Sequence, residues 1–201
     1  KVPAWRPLVA GIVNATPDSF SDGGRFLTPD AGIAHALQLL EEGADFLDLG
    51  GESTRPGAAE VAAAEEWRRV EPILRGVLER RPETVFSIDT RHAETARLAL
   101  AAGAAIVNDV SGLAFDPEMA AAAANAKAGL ILMHSTAAPE AMQQKEYLTG
   151  DDPTAAVAAF LDRQLALALA VGVKREAVML DVGIGFGKTR AGNYELLRRA
   201  E

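Results

Sequence analysis

Leu8-Val9-Ala10-Gly11-Ile12-Val13-Asn14-Ala15-Thr16-Pro17-Asp18-Ser19-Phe20-Ser21-Asp22-Gly23-Gly24 is the stretch whose reading decides the fold. An apolar run over 8–13 stops at an amide, Asn14, and a polar loop with Asp18, Asp22, several hydroxyls and a glycine pair follows. This pattern suits a buried strand that delivers a polar ligand at its carboxyl end and then opens into a functional loop. An ordinary strand-to-turn transition would look the same, because Pro-Asp-Ser and Asp-Gly-Gly are common turn chemistry. Repetition separates the two readings.

The same transition recurs after apolar runs at 46–49, 85–88, 105–107, 130–133 and 177–180. These runs are nearly continuous in hydrophobicity, as strands covered on both faces should be. Helical segments lie between them. Thr28-Pro29, Asp116-Pro117 and Asp152-Pro153 each put a capping residue before a proline at a first helical position. Gly43, Gly103, Gly129 and Gly172 sit where helices should end in a left-handed turn. The alanine-rich stretch 119–128 is helix by propensity. Strand, loop and helix in repeated order predict a parallel sheet with right-handed crossovers.

Polar chemistry closes every strand: Asn14, then Asp48 and Glu52, Asp89, Asn108 with Asp109, His134, and Asp181. Carboxyl ends of parallel strands are where α/β proteins build their sites. A ring of such ends predicts a (β/α)8 barrel rather than an open sheet, whose edge strands would lie far from a common centre. Such a barrel takes eight units and about 250 residues; six strands are visible here, followed by a sixth helix over 193–201.

The 201 residues suffice for one substantial core, and we read 1–201 as a single domain. A net charge of −8 argues against nucleic-acid binding through bulk charge. The absence of cysteine excludes disulfides and thiolate zinc sites and fits a reducing, cytoplasmic setting. No apolar stretch approaches the roughly 20 residues of a membrane span.

Several motifs carry chemistry, each beside a plainer reading. Gly50-Gly51-Glu52-Ser53-Thr54-Arg55-Pro56-Gly57 offers glycines for close backbone approach, a Thr54 hydroxyl and the planar Arg55 cation; it could also be a connection with a solvated arginine. Ser87-Ile88-Asp89-Thr90 and Val107-Asn108-Asp109-Val110 put carboxylates and an amide at neighbouring strand ends. Together these could read a flat heterocycle, or Asp89, Thr90 and Asp109 could simply cap helices. Val182-Gly183-Ile184-Gly185-Phe186-Gly187-Lys188-Thr189 invites a phosphate-loop reading, but Val182 stands where the first glycine belongs, and a pocket wall after Asp181 fits better. His134 could be a general base, a cap or a space-filler. His35 and His92 are expected on helices in solvent, and Glu65, Glu66, Arg68 and Arg69 as a charged helix face.

Taken together, the segments 14–24, 50–57, 87–90, 108–112 and 181–188 resemble dihydropteroate synthases, and the resemblance runs from Val9 into the last helix. It implies a (β/α)8 barrel that joins 6-hydroxymethyl-7,8-dihydropterin pyrophosphate to para-aminobenzoate, giving 7,8-dihydropteroate and pyrophosphate. By the same resemblance, Asn14 would bind the Mg2+ ion held by the pyrophosphate. Asp89, Asn108 and Asp181 would hydrogen-bond the pterin edge, with Met133, Phe186 and Lys188 lining its pocket. Phe20, Ser21 and Asp22 would belong to one catalytic loop, and Thr54, Arg55 and Pro56 to a second that also contacts substrate. The resemblance further implies a cytoplasmic homodimer inhibited by sulfonamides. A noncatalytic pterin-binding remnant is the competing reading, and a methyltetrahydrofolate-dependent methyltransferase is disfavoured by the first loop. Val182 departs from the proline usual after the aspartate. The seventh and eighth units, with their cationic pyrophosphate ligands, lie outside these residues. A polypeptide of these residues alone would leave its first and sixth strands as open edges and make a poor enzyme.

Overall fold

A computed structural model describes residues 6–16, 28–53, 60–135 and 152–199. Among them six strands alternate with six helices: β1 (Ala10–Asn14), α1 (Pro29–Glu41), β2 (Phe46–Gly50), α2 (Ala63–Arg80), β3 (Phe86–Asp89), α3 (Ala93–Ala102), β4 (Ile106–Asp109), α4 (Met119–Ala126), β5 (Gly129–Met133), α5 (Pro153–Ala170), β6 (Val178–Asp181) and α6 (Arg190–Arg198). The strands pair in chain order and every pair is parallel. A hollow of about 560 Å3 at their amino ends touches Leu8 and Phe46 on one side and Val178 and Met179 on the other. The sheet therefore curls around its inner face, as six consecutive units of a (β/α)8 barrel do.

The period-two alternation of strands assigns the two faces. Outward go Leu47, Leu49, Phe86, Ile88, Val107, Leu130 and Leu132, all at most 1% exposed. They meet helices such as α2, whose Val70, Ile73, Leu74 and Val77 recur at helical spacing and are buried. This helix-to-sheet layer is the main core. Inward go Asn14, Asp48, Ser87, Asp89, Asn108, Met133 and Asp181, by the registers that pair Asn14 with Gly50, Gly50 with Asp89, Asp89 with Asn108, and Met133 with Asp181. The strands are thus not apolar on both faces. Their outer faces are, and polar residues enter the inner face near the carboxyl ends.

The boundaries differ from the sequence reading in a consistent way. Ladder pairing runs on to the polar residue itself, so Asn14, Asp89, Asn108 and Asp181 lie inside strands rather than beyond them. Thr28 and Asp152 cap α1 and α5 as expected, accepting from the backbone N–H of Ala31 and Ala155. Asp116 does not cap α4. One of its carboxylate oxygens accepts from Glu118 N–H and the other from Ala93 N–H, which ties this turn to the start of α3, and α4 begins at Met119. Gly129 is no helix terminus either: Lys127 takes the left-handed conformation (φ 55°), and Gly129 opens β5. The last helix starts at Arg190, capped by Thr189, earlier than the sequence suggested.

Candidate active site

The carboxyl ends of the strands gather hydrogen-bond acceptors on one concave surface. Asp48, Asn108 and Asp181 share a hollow of about 360 Å3 whose other walls include Phe46, Ile131 and Met179. Asn108 Nδ2 donates to Asp48 Oδ2 at 3.0 Å, reaching from β4 to β2 across the small Ser87 of β3. Asp89 lies in register between Gly50 and Asn108. A side chain at Gly50 would come within 3.3 Å of Asp89 Oδ2, so this glycine leaves room for the carboxylate. Gly51 has a different purpose: a Cβ there would meet Glu66 of α2 at 2.9 Å, so it serves helix packing rather than ligand approach.

The electrostatics are those of a carboxyl cluster. Burial pushes Asp89 well above the ordinary carboxylate range, and Asp48, Glu66, Asp109 and Glu52 push it further. Burial raises Asp48 as well, against the opposing influence of Ser87 and Asn108. Such a surface favours a ligand that brings N–H donors or positive charge, which would let these carboxyls ionise.

Asp181 ends β6, lines the hollow, and accepts from Gly183 N–H through Oδ1 at 2.8 Å. The turn behind it is built on glycines at positive φ: Gly183 at 65°, Gly185 at 86° and Gly187 at 65°. Gly183 is doubly required, since a Cβ would lie 2.2 Å from the His134 carbonyl oxygen. Lys188 sits beneath this turn, 6% exposed. Its Nζ donates to the carbonyls of Gly183 at 2.7 Å, Phe186 at 2.9 Å and His134 at 3.3 Å. Burial lowers its pKa to about 8, against the pull of Asp181. Lys188 therefore staples the turn to the end of β5, and its ammonium faces backbone rather than an open pocket. No phosphate loop is formed here: Thr189 caps α6. Phe186 is half-buried on the turn and Met133 is buried in register with Asp181. Asn14 ends β1 with its side chain exposed.

Other polar strand ends turn away from the hollow. Asp109 faces outward and accepts from Ser111 N–H, Ser111 Oγ and Leu113 N–H, so it shapes the following turn. Thr90 donates to Glu66 Oε2 at 2.7 Å. Glu66 is fully buried, unlike Glu65, Arg68 and Arg69, which form the expected charged face. Glu52 pairs with Arg91 through two hydrogen bonds of 2.9 and 3.0 Å. His92 is not solvated: its ring packs edge-on against Phe115 with centroids 5.1 Å apart. His35 is half-buried on α1. Phe20, Ser21, Asp22, Thr54, Arg55 and Pro56 lie outside the described residues.

His134 takes the space-filling role. It is 2% exposed and stacks edge-on against Phe160 of α5 with ring centroids 4.9 Å apart. Burial, then the Lys188 charge, lowers its pKa from 6.5 to about 4. The folded state thus binds the proton less well than the unfolded chain does. Stability carries no His134 penalty above pH 6.5 and falls as the pH drops from there towards 4. We expect His134→Phe to remove this part of the acid destabilisation, roughly 2–3 kcal/mol at pH 4. Denaturant unfolding of both proteins between pH 4 and 7.5 checks it; parallel stability curves would show that His134 carries no such linkage.

Comparison with known proteins agrees with this geometry. The pterin binding enzyme family matches residues 10–201. A dihydropteroate synthase of Synechocystis is 46% identical over 195 residues, covering 96% of this chain and 66% of its own length. The chain thus spans just under two thirds of that relative. Dihydropteroate synthase of Xanthomonas albilineans with 4-aminobenzoic acid superposes with a TM-score of 0.87 at 42% identity, over 97% of this chain and 68% of that one. The same enzyme in complex with 7,8-dihydropteroate gives 0.82 at 40% identity, over 97% and 67%. The acceptor-lined hollow at the strand ends, the six-unit arc and these matches lead to one conclusion: the chain belongs to the pterin-binding enzyme family and, within it, to the dihydropteroate synthases.

Proposed function

We propose that the protein joins 6-hydroxymethyl-7,8-dihydropterin pyrophosphate to para-aminobenzoate, releasing pyrophosphate. The observation that carries this reading is the gathering of Asp48, Asp89, Asn108 and Asp181 on one concave surface. A pterin pyrimidine edge presents adjacent N–H donors, which a carboxylate matches in bidentate fashion. Cleavage of the carbon–oxygen bond leaves positive charge delocalised into the pterin; that charge would favour the ionised form of the buried carboxyls, which would stabilise it in turn. No nucleophilic side chain is needed, which suits a histidine buried in packing. Met133 and Phe186 would flank the ring. Asp22, Thr54, Arg55 and Pro56 keep the loop roles that the family resemblance gives them. Lys188 is proposed to position the Asp181 turn rather than to touch substrate.

Asn14 fits magnesium only as a single hard oxygen donor. Among the described residues no group of three or more His, Cys, Asp or Glu could hold a metal; by the family resemblance the ion would arrive on the pyrophosphate, as magnesium commonly does. Bound there, it would stabilise the leaving group. The family resemblance further supports a cytoplasmic homodimer sensitive to sulfonamides. No helix among the described residues is long and apolar enough to cross a membrane.

The test is aminobenzoate-dependent release of pyrophosphate from the pterin pyrophosphate. Release that needs both substrates is expected. Pterin binding without release would instead make the protein a binder. Asn14→Ala should raise the magnesium concentration needed for half-maximal release about tenfold while leaving the affinity for free pterin unchanged, since it removes one ligand of a substrate-borne ion. An unchanged magnesium requirement would take Asn14 out of this role.

A further inference from the structure

Asp48 has no part in the ligand set that the sequence suggests, yet it is placed to control one member of it. Its carboxylate lies on the inner face of β2, 9% exposed, and Oδ2 accepts from Asn108 Nδ2 at 3.0 Å. An amide beside a carboxyl oxygen must turn its NH2 towards it, because the reverse orientation would set two acceptors face to face. Asn108 Oδ1 then points away from Asp48. The orientation holds while Asp48 turns an acceptor oxygen, and not a protonated O–H, towards the amide.

We propose that Asp48 sets the hydrogen-bonding polarity of Asn108, so that Asn108 turns its Oδ1, an acceptor, to the amine-bearing edge of a ligand and disfavours edges that present a carbonyl there. Asp48 is thus a positioning residue that determines specificity through Asn108. The inference rests on the pterin reading above. It accounts for a buried carboxyl in the middle of an otherwise apolar strand, where a hydrophobic side chain would cost less. A site built to accept from ligand N–H groups discriminates strongly against analogues that lack them, because its own polar groups are then left unmatched.

The test compares 6-hydroxymethylpterin with its 2-oxo analogue, in which the exocyclic amine becomes a carbonyl, by calorimetry on the wild type and on Asp48→Asn. Asparagine keeps the shape but can donate or accept, so Asn108 is free to turn over. The wild type should prefer the amine strongly, and the variant should lose at least about tenfold of that preference with a smaller loss in affinity for the 2-oxo compound. An unchanged preference in a variant that binds would overturn the role of Asp48 and leave the pterin reading standing. Binding of neither compound by the wild type would overturn the pterin reading. Should Asp48→Asn fail to fold, the side-chain amide protons of Asn108 in the ligand-free wild type decide the matter. One slowly exchanging proton, hydrogen-bonded to Asp48, is expected, and rapid exchange of both would overturn the proposal.

Discussion

Replacing Arg91 with methionine should destabilise the protein by about 3–5 kcal/mol, the cost of leaving a buried carboxylate without its partner. Arg91 and Glu52 are 3% and 9% exposed at their side chains. The guanidinium makes two hydrogen bonds to the carboxylate and lies 4.1 Å over the Phe115 ring. Glu52 Oε1 also accepts from Val61 N–H at 3.0 Å, so one carboxylate joins the exit of β2, the approach to α2 and the exit of β3. Lys at position 91 would not substitute well, because it lacks the planar fork and the stacking face. The variant with both Arg91→Met and Glu52→Gln should recover part of the loss, since no stranded charge remains. Denaturant unfolding of the two single variants and the double variant measures the coupling. A loss below about 1 kcal/mol for Arg91→Met would class the pair with surface ion pairs.

This pair also shows where the sequence stopped being readable. Arg91 follows a strand end and looks like any solvated arginine, and its partner is 39 residues away. No local pattern joins them. The strand ends themselves were readable, because a polar residue that closes an apolar run must sit where the strand leaves the core. Which face it takes was only partly readable. Asn108 and Asp109 are neighbours, yet one faces the hollow and the other a turn, and only the pairing register with Asp89 separates them. Two further signals lie in the spacing. Glu66 lies four residues before Val70 and seven before Ile73, in phase with the buried stripe of α2, so its helical position marks it as internal despite its charge. Asp48 alternates with Phe46 and Gly50, which puts it on the inner face by period two. Lys188 could not have been resolved from sequence. A lysine after a glycine-rich turn suits a phosphate or a set of carbonyls equally well, and only the three distances from its Nζ decide for the carbonyls.

Asp181→Ala should weaken binding of 6-hydroxymethylpterin by roughly 2–4 kcal/mol, the combined effect of losing a charge-assisted pair and leaving ligand donors unmatched. The structure complicates a simple reading of that loss. Asp181 Oδ1 already accepts from Gly183 N–H, so the carboxylate both faces the hollow and holds the turn that carries Phe186. Alanine removes both contributions. Asp181→Asn separates them, because its amide oxygen can keep the Gly183 bond while its NH2 turns a donor towards the ligand's donors. If Asp181 recognises the ligand, asparagine should cost about as much affinity as alanine, with unfolding close to that of the wild type. If Asp181 matters only through the turn, asparagine should restore affinity and alanine should lower stability. Lys188→Met supplies the opposite control. It removes the staple from the Gly183, Phe186 and His134 carbonyls while leaving the Asp181 carboxylate in place. Its main effect should therefore be on stability, with a smaller loss in pterin affinity than either change at Asp181. Full affinity in a folded Asp181→Ala protein would remove this carboxylate from the pterin site and would leave Asp89 and Asn108 as its only acceptors among the residues assigned to the pterin edge.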